Sequence, residues 1–382
     1  MKVSSFFVFV AILFLNSCKF SNYKDYDTLY RVNLERDINN IESMPLSYLG
    51  SKVEYVCLEA ETDCMLRKIS KIFVSESFLL VSDSYRLLEF DRSGRYIRLI
   101  GSQGRGPGEY DKIWNIAINE ADREIFILSS GGKILVYDFD GKFIRDFAIG
   151  FPGIQFVLNE NSELIFHQIN IGQKSNEPVY GFHILTNHGK TIKKIPNTLK
   201  RVNGVAITNS PLYMYKNTIN FMEFGVDTLY TYEHNNKRPH ILFQYGNLKF
   251  STDPTVDQIL KNDKTLWGKI YVNNIQETEK SLFIKISYLL PHISISNCIY
   301  DKLSGKLTIL KDYGFANDIY GGIPFWPETI INDSIMVDFA DAYDLINSYK
   351  KDVKGTERSA QLENIINNLT ETSNPVIMIL YP

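Results

Sequence analysis

Along most of this chain apolar and polar residues alternate with a period of two, which is typical of strands that bury one face. Residues 52–58 show the pattern, and three later stretches repeat one hairpin. Each hairpin consists of an apolar strand, a polar turn and a second strand, and the turn glycines are Gly94, Gly141 and Gly189. The steps of 47 and 48 residues between these glycines match the length of a propeller blade. The pattern therefore predicts a β-propeller.

The repeat divides the chain into six predicted blades. The first five cover about 69–101, 113–150, 153–197, 211–246 and 272–312, and the sixth begins near residue 318. The first and last strand-like runs, 52–58 and 376–381, belong to no complete blade of their own. We expect them to complete blade six side by side, because this closure leaves few unpaired sheet edges.

Two segments interrupt the strand pattern. Thr252-Asp253-Pro254 places a proline at a first helical position and predicts a short helix before blade five. After residue 339, one apolar stripe at helical spacing predicts a helical insertion within blade six; its members are Leu362, Ile365, Ile366 and Leu369. The expected fold class is all-β, a six-bladed β-propeller with short helical insertions.

The N-terminus has the pattern of an export signal. Lys2 precedes an apolar run over residues 6–15, which is too short to span a bilayer. The run ends in Leu15-Asn16-Ser17-Cys18, which resembles a bacterial lipobox, although an ordinary secretory signal with an incidental cysteine is the alternative. The predicted boundaries are 1–17 for a lipoprotein signal peptide, 18–45 for a lipid-anchored tether and lead-in, and 46–382 for the propeller.

A mature chain beginning at an acylated Cys18 would be held at the membrane by its N-terminal lipid. Lys19 follows this cysteine. An aspartate there is the retention signal for the inner membrane in some Gram-negative lipoproteins, so its absence favours the outer membrane.

Charge and cysteine content narrow the function classes. The net charge is −3, and acidic and basic residues are interspersed. The sequence therefore has no basic stripe of the kind that binds nucleic acid, and we predict no nucleic-acid partner. The remaining cysteines, Cys57, Cys64 and Cys298, allow at most one internal disulfide. The sequence contains neither a CxxC pair nor a Cys/His cluster, and we predict no metal and no cofactor.

A glycine-rich loop over residues 101–110 joins blades one and two. A phosphate-binding loop would need Gly-Lys-Ser/Thr leading into a helix, whereas Pro-Gly-Glu-Tyr here leads into a strand. We interpret the loop as a tight crossover. Arg105 either pairs with Glu109 or binds a ligand, and Glu109 and Tyr110 join it as candidate ligand-binding residues.

Two adjacent aromatic residues stand between prolines in Pro324-Phe325-Trp326-Pro327. They are candidates for stacking on a sugar ring or a peptide, or for packing between blades. We expect one of Phe325 and Trp326 to pack and the other to be exposed.

Four stretches together resemble the six-bladed, NHL-like β-propeller lipoproteins common in Bacteroides-type bacteria. They are residues 101–110, Asp227-Thr228-Leu229-Tyr230, Pro324-Phe325-Trp326-Pro327 and Asn374-Pro375-Val376. The resemblance extends from about residue 45 to the end of the chain. That family has no settled activity, so the resemblance implies architecture and a cell-envelope location, not a reaction.

The functional expectation is a ligand-binding module for a glycan, a peptide or a small molecule. The alternatives are a metal-dependent hydrolase or lyase with its site on the propeller axis, and a scaffold that docks other envelope proteins. No GxSxG or other nucleophile motif supports an enzyme, so we predict no catalytic residue.

Overall fold

The computed structural model describes residues 28–151, 153–168, 180–196, 210–223, 225–233, 236–250, 261–288, 290–331, 333–351 and 360–382. Six small sheets, four with four strands and two with five, are arranged as the blades of a propeller. From blade two through blade six and on to blade one, the first strands of successive blades contact one another and form the inner ring. The structure confirms the predicted all-β, six-bladed propeller.

Blades one to three are each built from four consecutive strands, paired in sequence order. The strands of blade one are Lys71–Val74, Phe78–Ser82, Leu87–Asp91 and Tyr96–Leu99. Those of blade two are Ile113–Asn119, Glu124–Ser129, Lys133–Asp138 and Phe143–Ala148. Those of blade three are Phe156–Leu158, Leu164–His167, Tyr180–Leu185 and Thr191–Pro196. The middle strands of each blade are almost wholly buried, whereas the fourth strands of blades two and three alternate between exposed and half-buried residues.

Blades four and five each carry a fifth strand from the N-terminal segment. The consecutive strands of blade four are Leu212–Tyr215, Thr218–Met222, Thr228–Glu233 and Asn236–Gln244. Those of blade five are Ile270–Glu277, Ser281–Tyr288, Ser294–Asp301 and Lys306–Leu310. Tyr30–Asn33 pairs in parallel with the outer strand of blade four, and Ile41–Glu42 does so with that of blade five.

Part of the predicted lead-in is therefore an integral part of the folded ring. Between its two strands lies the short helix Leu34–Asp37. Val32 and Leu34 are completely buried in the core between blades four and five. The segment lacks a repeating pattern because it contributes single strands to blades that are already complete. Residues 1–27, with the predicted signal peptide and Cys18, lie outside the described part of the chain.

Blade six closes the ring with strands from both ends of the chain. Its order is Thr329–Ile331, Ile335–Ala340, Val376–Tyr381 and Lys52–Cys57, with the last two antiparallel. Val376–Tyr381 is buried along all but its last residue, as a central strand must be. The pairing of the two chain ends is the one expected from the sequence.

The other regular elements are short. Two helices, Ala342–Lys351 and Ala360–Asn368, form the predicted insertion within blade six. Leu362, in the second helix, is buried in the core around blade six. Single turns of 3₁₀ helix span Leu46–Tyr48, Gly246–Leu248, Lys264–Leu266 and Lys311–Tyr313. The helix expected from Thr252-Asp253-Pro254 falls largely on residues 251–260, outside the described residues. Among the helices described, none is long and apolar enough to cross a membrane.

Candidate functional site

One cavity in the described part of the chain lies between the last two strands of blade three and the last three strands of blade four. Its volume is about 300 Å³. We call it the blade three–four cleft and define it by three aromatic and four charged residues: Phe182, Phe221, Tyr232, Lys193, Lys194, Glu223 and Lys237. The lower limit for small-molecule pockets is about 300 Å³, so the cleft has room for one compact ligand.

Aromatic rings form the apolar wall of the cleft. Phe182 meets Phe221 edge to face, with 4.3 Å between ring centroids, and stacks against Tyr232 at 5.9 Å. Both phenylalanines are buried, and Tyr232 is half-buried. The rings come from strands of two blades because the apolar faces of neighbouring blades pack against each other.

Three lysines and one glutamate supply the charge. Lys237 Nζ lies 3.4 Å from Glu223 Oε1 and 3.8 Å from the ring centroid of Tyr230. Lys193 Nζ donates a hydrogen bond of 3.3 Å to the hydroxyl of Tyr232. Lys194, at the rim, is exposed. The lysines outnumber the carboxylate, so the cleft has a positive balance.

The second oxygen of Glu223 is the unusual feature of this cleft. Glu223 is only 6% exposed, and within the described part of the chain no hydrogen-bond donor reaches Oε2. Leaving a buried acceptor without a partner costs roughly 1–3 kcal/mol, and more for a charged group. Glu223 lines the cleft, so the unpaired oxygen of this side chain favours a ligand or a water molecule that donates a hydrogen bond to it.

A buried histidine lies directly behind the aromatic wall. The His167 ring is 5.2 Å from that of Phe182 and 5.6 Å from that of Phe221. Burial, reinforced by the nearby Lys237 charge, lowers the pKa of His167 to about 4. Neither ring nitrogen has a hydrogen-bond partner among the described residues. His167 is therefore neutral at neutral pH.

A second cluster of charged groups, between blades four and five, differs because its hydrogen bonds are satisfied. Glu277 accepts bonds from His240 at 2.9 Å, from Lys302 at 2.7 Å and from the Tyr213 hydroxyl at 2.7 Å. Burial raises the pKa of Glu277, but the bonds and charges of His240 and Lys302 outweigh it and the pKa lies below the usual value. The adjoining cavity is only about 60 Å³. We interpret this cluster as a structural connection between the blades.

The glycine-rich loop is a crossover, as predicted, but Tyr110 is part of the core. Tyr110 is fully buried, donates to the Ile100 carbonyl at 2.8 Å and offers no surface to a ligand. Glu109 accepts the Gly106 N–H at 2.8 Å and so holds the loop together. Arg105 is exposed, and its role in binding stays a prediction.

Two of the loop glycines adopt backbone angles that other residues disfavour. Gly101 and Gly108 have φ of +66° and +71°, in the left-handed region that favours glycine. A Cβ atom on Gly101 would also lie 2.5 Å from the Tyr137 hydroxyl.

Phe325 and Trp326 are both core residues, so the expectation that one of them is exposed is wrong. Phe325 is completely buried and Trp326 is 5% exposed, in the core formed around blade six. The backbone explains the burial, because Phe325 pairs with Phe315 and the Trp326 N–H donates to Asp338 at 2.8 Å. Tyr110 belongs to a different core cluster, so the structure does not bring the two predicted loops together.

The sequence reasoning missed Glu223 and His167. Each stands at or just beyond the end of an apolar strand, after Phe221-Met222 and after Leu164-Ile165-Phe166. A polar residue ending a wholly buried run was the only available signal. It could not show that strands of two blades meet at the same cleft.

The structure also describes the remaining cysteines and the grouping of possible metal ligands. Cys57, Cys64 and Cys298 are free thiols, and burial raises the pKa of each. Among the residues described, no three His, Cys, Asp or Glu side chains are grouped so that they could hold a metal ion.

Comparison with known proteins places the chain in a family. The model described as "Domain of unknown function (DUF4934)" matches residues 29–381. The chain belongs to this family. The match begins just before the Tyr30–Asn33 strand, so the DUF4934 domain includes the N-terminal segment that wraps blades four and five. No curated protein matches the sequence.

One solved structure supports the fold. A protein of Bacteroides fragilis NCTC 9343, provisionally described as exported, has a TM-score of 0.69 and 16% identity, covering 92% of this chain and 99% of its own. A Bacteroides thetaiotaomicron VPI-5482 protein of unknown function is less similar, with a TM-score of 0.43 and 9% identity over 89% and 75% of the two chains. The first of these two structures shares the propeller architecture; at this identity the likeness concerns the fold alone.

Proposed function

We propose that this DUF4934 protein is a ligand-binding module of the cell envelope, and that its ligand occupies the blade three–four cleft. The observation that carries the proposal is the buried Oε2 of Glu223, which has no hydrogen-bond partner among the described residues. A propeller offers a rigid frame, so the cleft walls need little rearrangement to accept a compact molecule.

The chemistry of the cleft favours binding over catalysis. Its buried histidine is neutral and lies behind the aromatic wall, and its lysines already contact a carboxylate, a hydroxyl or rings. Such groups can orient a ligand by charge, hydrogen bonding and ring contact. No observation in the described part of the chain favours the hydrolase or the scaffold hypothesis over this one.

The envelope location belongs to the same proposal. We infer a signal peptide over residues 1–17, acylation of Cys18, attachment to the outer membrane and an NHL-like relationship of the repeats. The lipobox-like sequence supports the anchor. The exported description of the B. fragilis structure agrees with export, the coarser part of this proposal.

The test compares the full-length protein with Glu223→Gln, in a detergent without a sugar head group. Thermal unfolding is followed by tryptophan fluorescence while monosaccharides, short peptides and small organic acids are added in turn. A ligand that binds only the folded state raises the midpoint temperature. We expect at least one class to stabilise the unmodified protein and not Glu223→Gln.

Glu76→Gln is the matched control, since Glu76 is exposed on blade one, far from the cleft in the ring order. This variant should respond to ligands like the unmodified protein. If no ligand class separates Glu223→Gln from the unmodified protein, although both fold, the cleft is not the binding site.

A further inference from the structure

The charges that line the cleft determine whether an anionic or a cationic ligand is favoured. Lys193, Lys194 and Lys237 contribute three ammonium groups against the one carboxylate of Glu223. Lys237 is only about one-third exposed, so water screens its charge less than that of a surface lysine. An anionic ligand improves this balance, whereas a cationic one worsens it.

Glu223 Oε2, which has no partner among the described residues, determines a second feature of the ligand. Oε2 can only accept a hydrogen bond, so the ligand must present a donor at this point. An ammonium donor would add a fourth positive group to a cleft that holds one carboxylate. A neutral hydroxyl satisfies Oε2 without that cost.

The aromatic wall selects the third feature. The half-buried ring of Tyr232 borders the cleft, backed by the stacked ring of Phe182. Such a surface favours a flat ligand with an apolar face of C–H groups. The volume of about 300 Å³ fits one ring better than a chain of several.

A hydroxylated ring that carries an anionic group combines these three features. We propose, building on the proposed binding function, that the blade three–four cleft binds an acidic sugar unit. The anionic group lies next to Lys237, a ring hydroxyl donates to Glu223 Oε2, and a C–H face contacts Tyr232. The anion is a carboxylate or a sulfate ester, since both present oxygens to an ammonium group.

The experiment is calorimetric titration of the full-length protein in a detergent without a sugar head group. The probes are D-glucuronate, D-glucose 6-sulfate, D-glucose, D-glucosamine and benzoate. We expect the two anionic sugars to bind at least about tenfold more tightly than the other three probes. The tighter of the two identifies the anion as a carboxylate or a sulfate.

Two variants locate the binding. Lys237→Met keeps the aliphatic length and removes the charge, and we expect it to weaken D-glucuronate binding about tenfold or more. It should change D-glucose binding by less than about threefold, because D-glucose carries no charge. Lys190→Met, at an exposed turn of blade three, is the control and should bind like the unmodified protein.

The outcomes separate this inference from the proposal on which it rests. In one outcome, D-glucose, D-glucosamine or benzoate binds as tightly as D-glucuronate, and the binding is lost in Glu223→Gln. That result would contradict the acidic-sugar class and still support the cleft as the binding site. Tight D-glucuronate binding that is unchanged in Lys237→Met and in Glu223→Gln would place the sugar elsewhere. Both proposals fail if none of the five calorimetric probes and none of the ligand classes in the thermal test binds in a way that depends on Glu223.

Discussion

At the scale of single residues, His167 shows how a polar group is adapted to the core. Its ring packs against two phenylalanine rings, and its nitrogens lack hydrogen-bond partners in the described structure. The pKa of about 4 is below the value near 6.5 for a solvated histidine, so the unfolded chain binds more protons between these pH values. His167 therefore lowers stability as the pH falls from about 6.5 towards 4, and has no such effect above pH 7.

We predict that His167→Phe removes part of this acid sensitivity. The expected gain in the free energy of unfolding at pH 4.5 is roughly 2–3 kcal/mol relative to the unmodified protein, with a smaller change at pH 7.5. Denaturant unfolding at the two pH values measures the difference. His188→Gln is the control for the replacement of a histidine, because His188 is exposed at a turn. Equal acid sensitivity in His167→Phe would show that His167 is not the group that titrates.

At the scale of elements, one strand holds the ring closed. Val376–Tyr381 lies between Ile335–Ala340 and Lys52–Cys57 and pairs with both. Asn374, just before the strand, is 1% exposed; it donates to the Glu59 and Cys64 carbonyls and accepts the Leu66 N–H at 2.7 Å. These bonds fix the C-terminal strand to the segment that leads into blade one.

We predict that deleting residues 375–382 abolishes cooperative unfolding and causes aggregation. The deletion removes a buried strand and exposes two sheet edges and their apolar faces. Circular dichroism melting and size-exclusion chromatography measure the result, with a variant that lacks only Pro382 as the control. A synthetic peptide of residues 372–382 should restore part of the folded protein. A soluble deletion variant with an unchanged melting transition would contradict this account of closure.

At the scale of the whole molecule, the N-terminal segment joins the ring to its proposed anchor. Its first described strand begins at Tyr30, and Tyr30–Asn33 is fixed to blade four. If Cys18 carries the lipid, residues 19–29 are all that separates the membrane attachment from the propeller. The ring would then be held close to the membrane on the side of blades four and five.

We predict that Cys18→Ala moves the protein from the detergent phase to the aqueous phase in a phase-separation assay. Multiple acyl chains provide stable anchoring, and their loss leaves no comparable membrane attachment. Ser17→Ala keeps a small residue before the cysteine and should partition like the unmodified protein. Unchanged partition of Cys18→Ala would exclude the lipid anchor.

The sequence by itself determined the blades. Alternation with period two and turn glycines are local signals, because the strands of one blade are neighbours in sequence. The predicted range of blade one, about 69–101, for example, contains its four strands from Lys71–Val74 to Tyr96–Leu99. Closure could also be predicted, since two apolar runs at opposite ends of the chain had no other partner.

Only the tertiary structure decided what lies between blades. The pairing of Tyr30–Asn33 with residues 241–244 joins segments about two hundred residues apart and leaves no periodic trace. Whether Phe325 and Trp326 faced solvent depended on the blades packed against them, because an aromatic residue between prolines suits either position. The blade three–four cleft brings Glu223 beside strands of another blade, and that packing buries Oε2, which has no partner in the described part of the chain. Local sequence specifies which residues form strands, whereas contacts between distant strands decide which polar groups are left for a ligand.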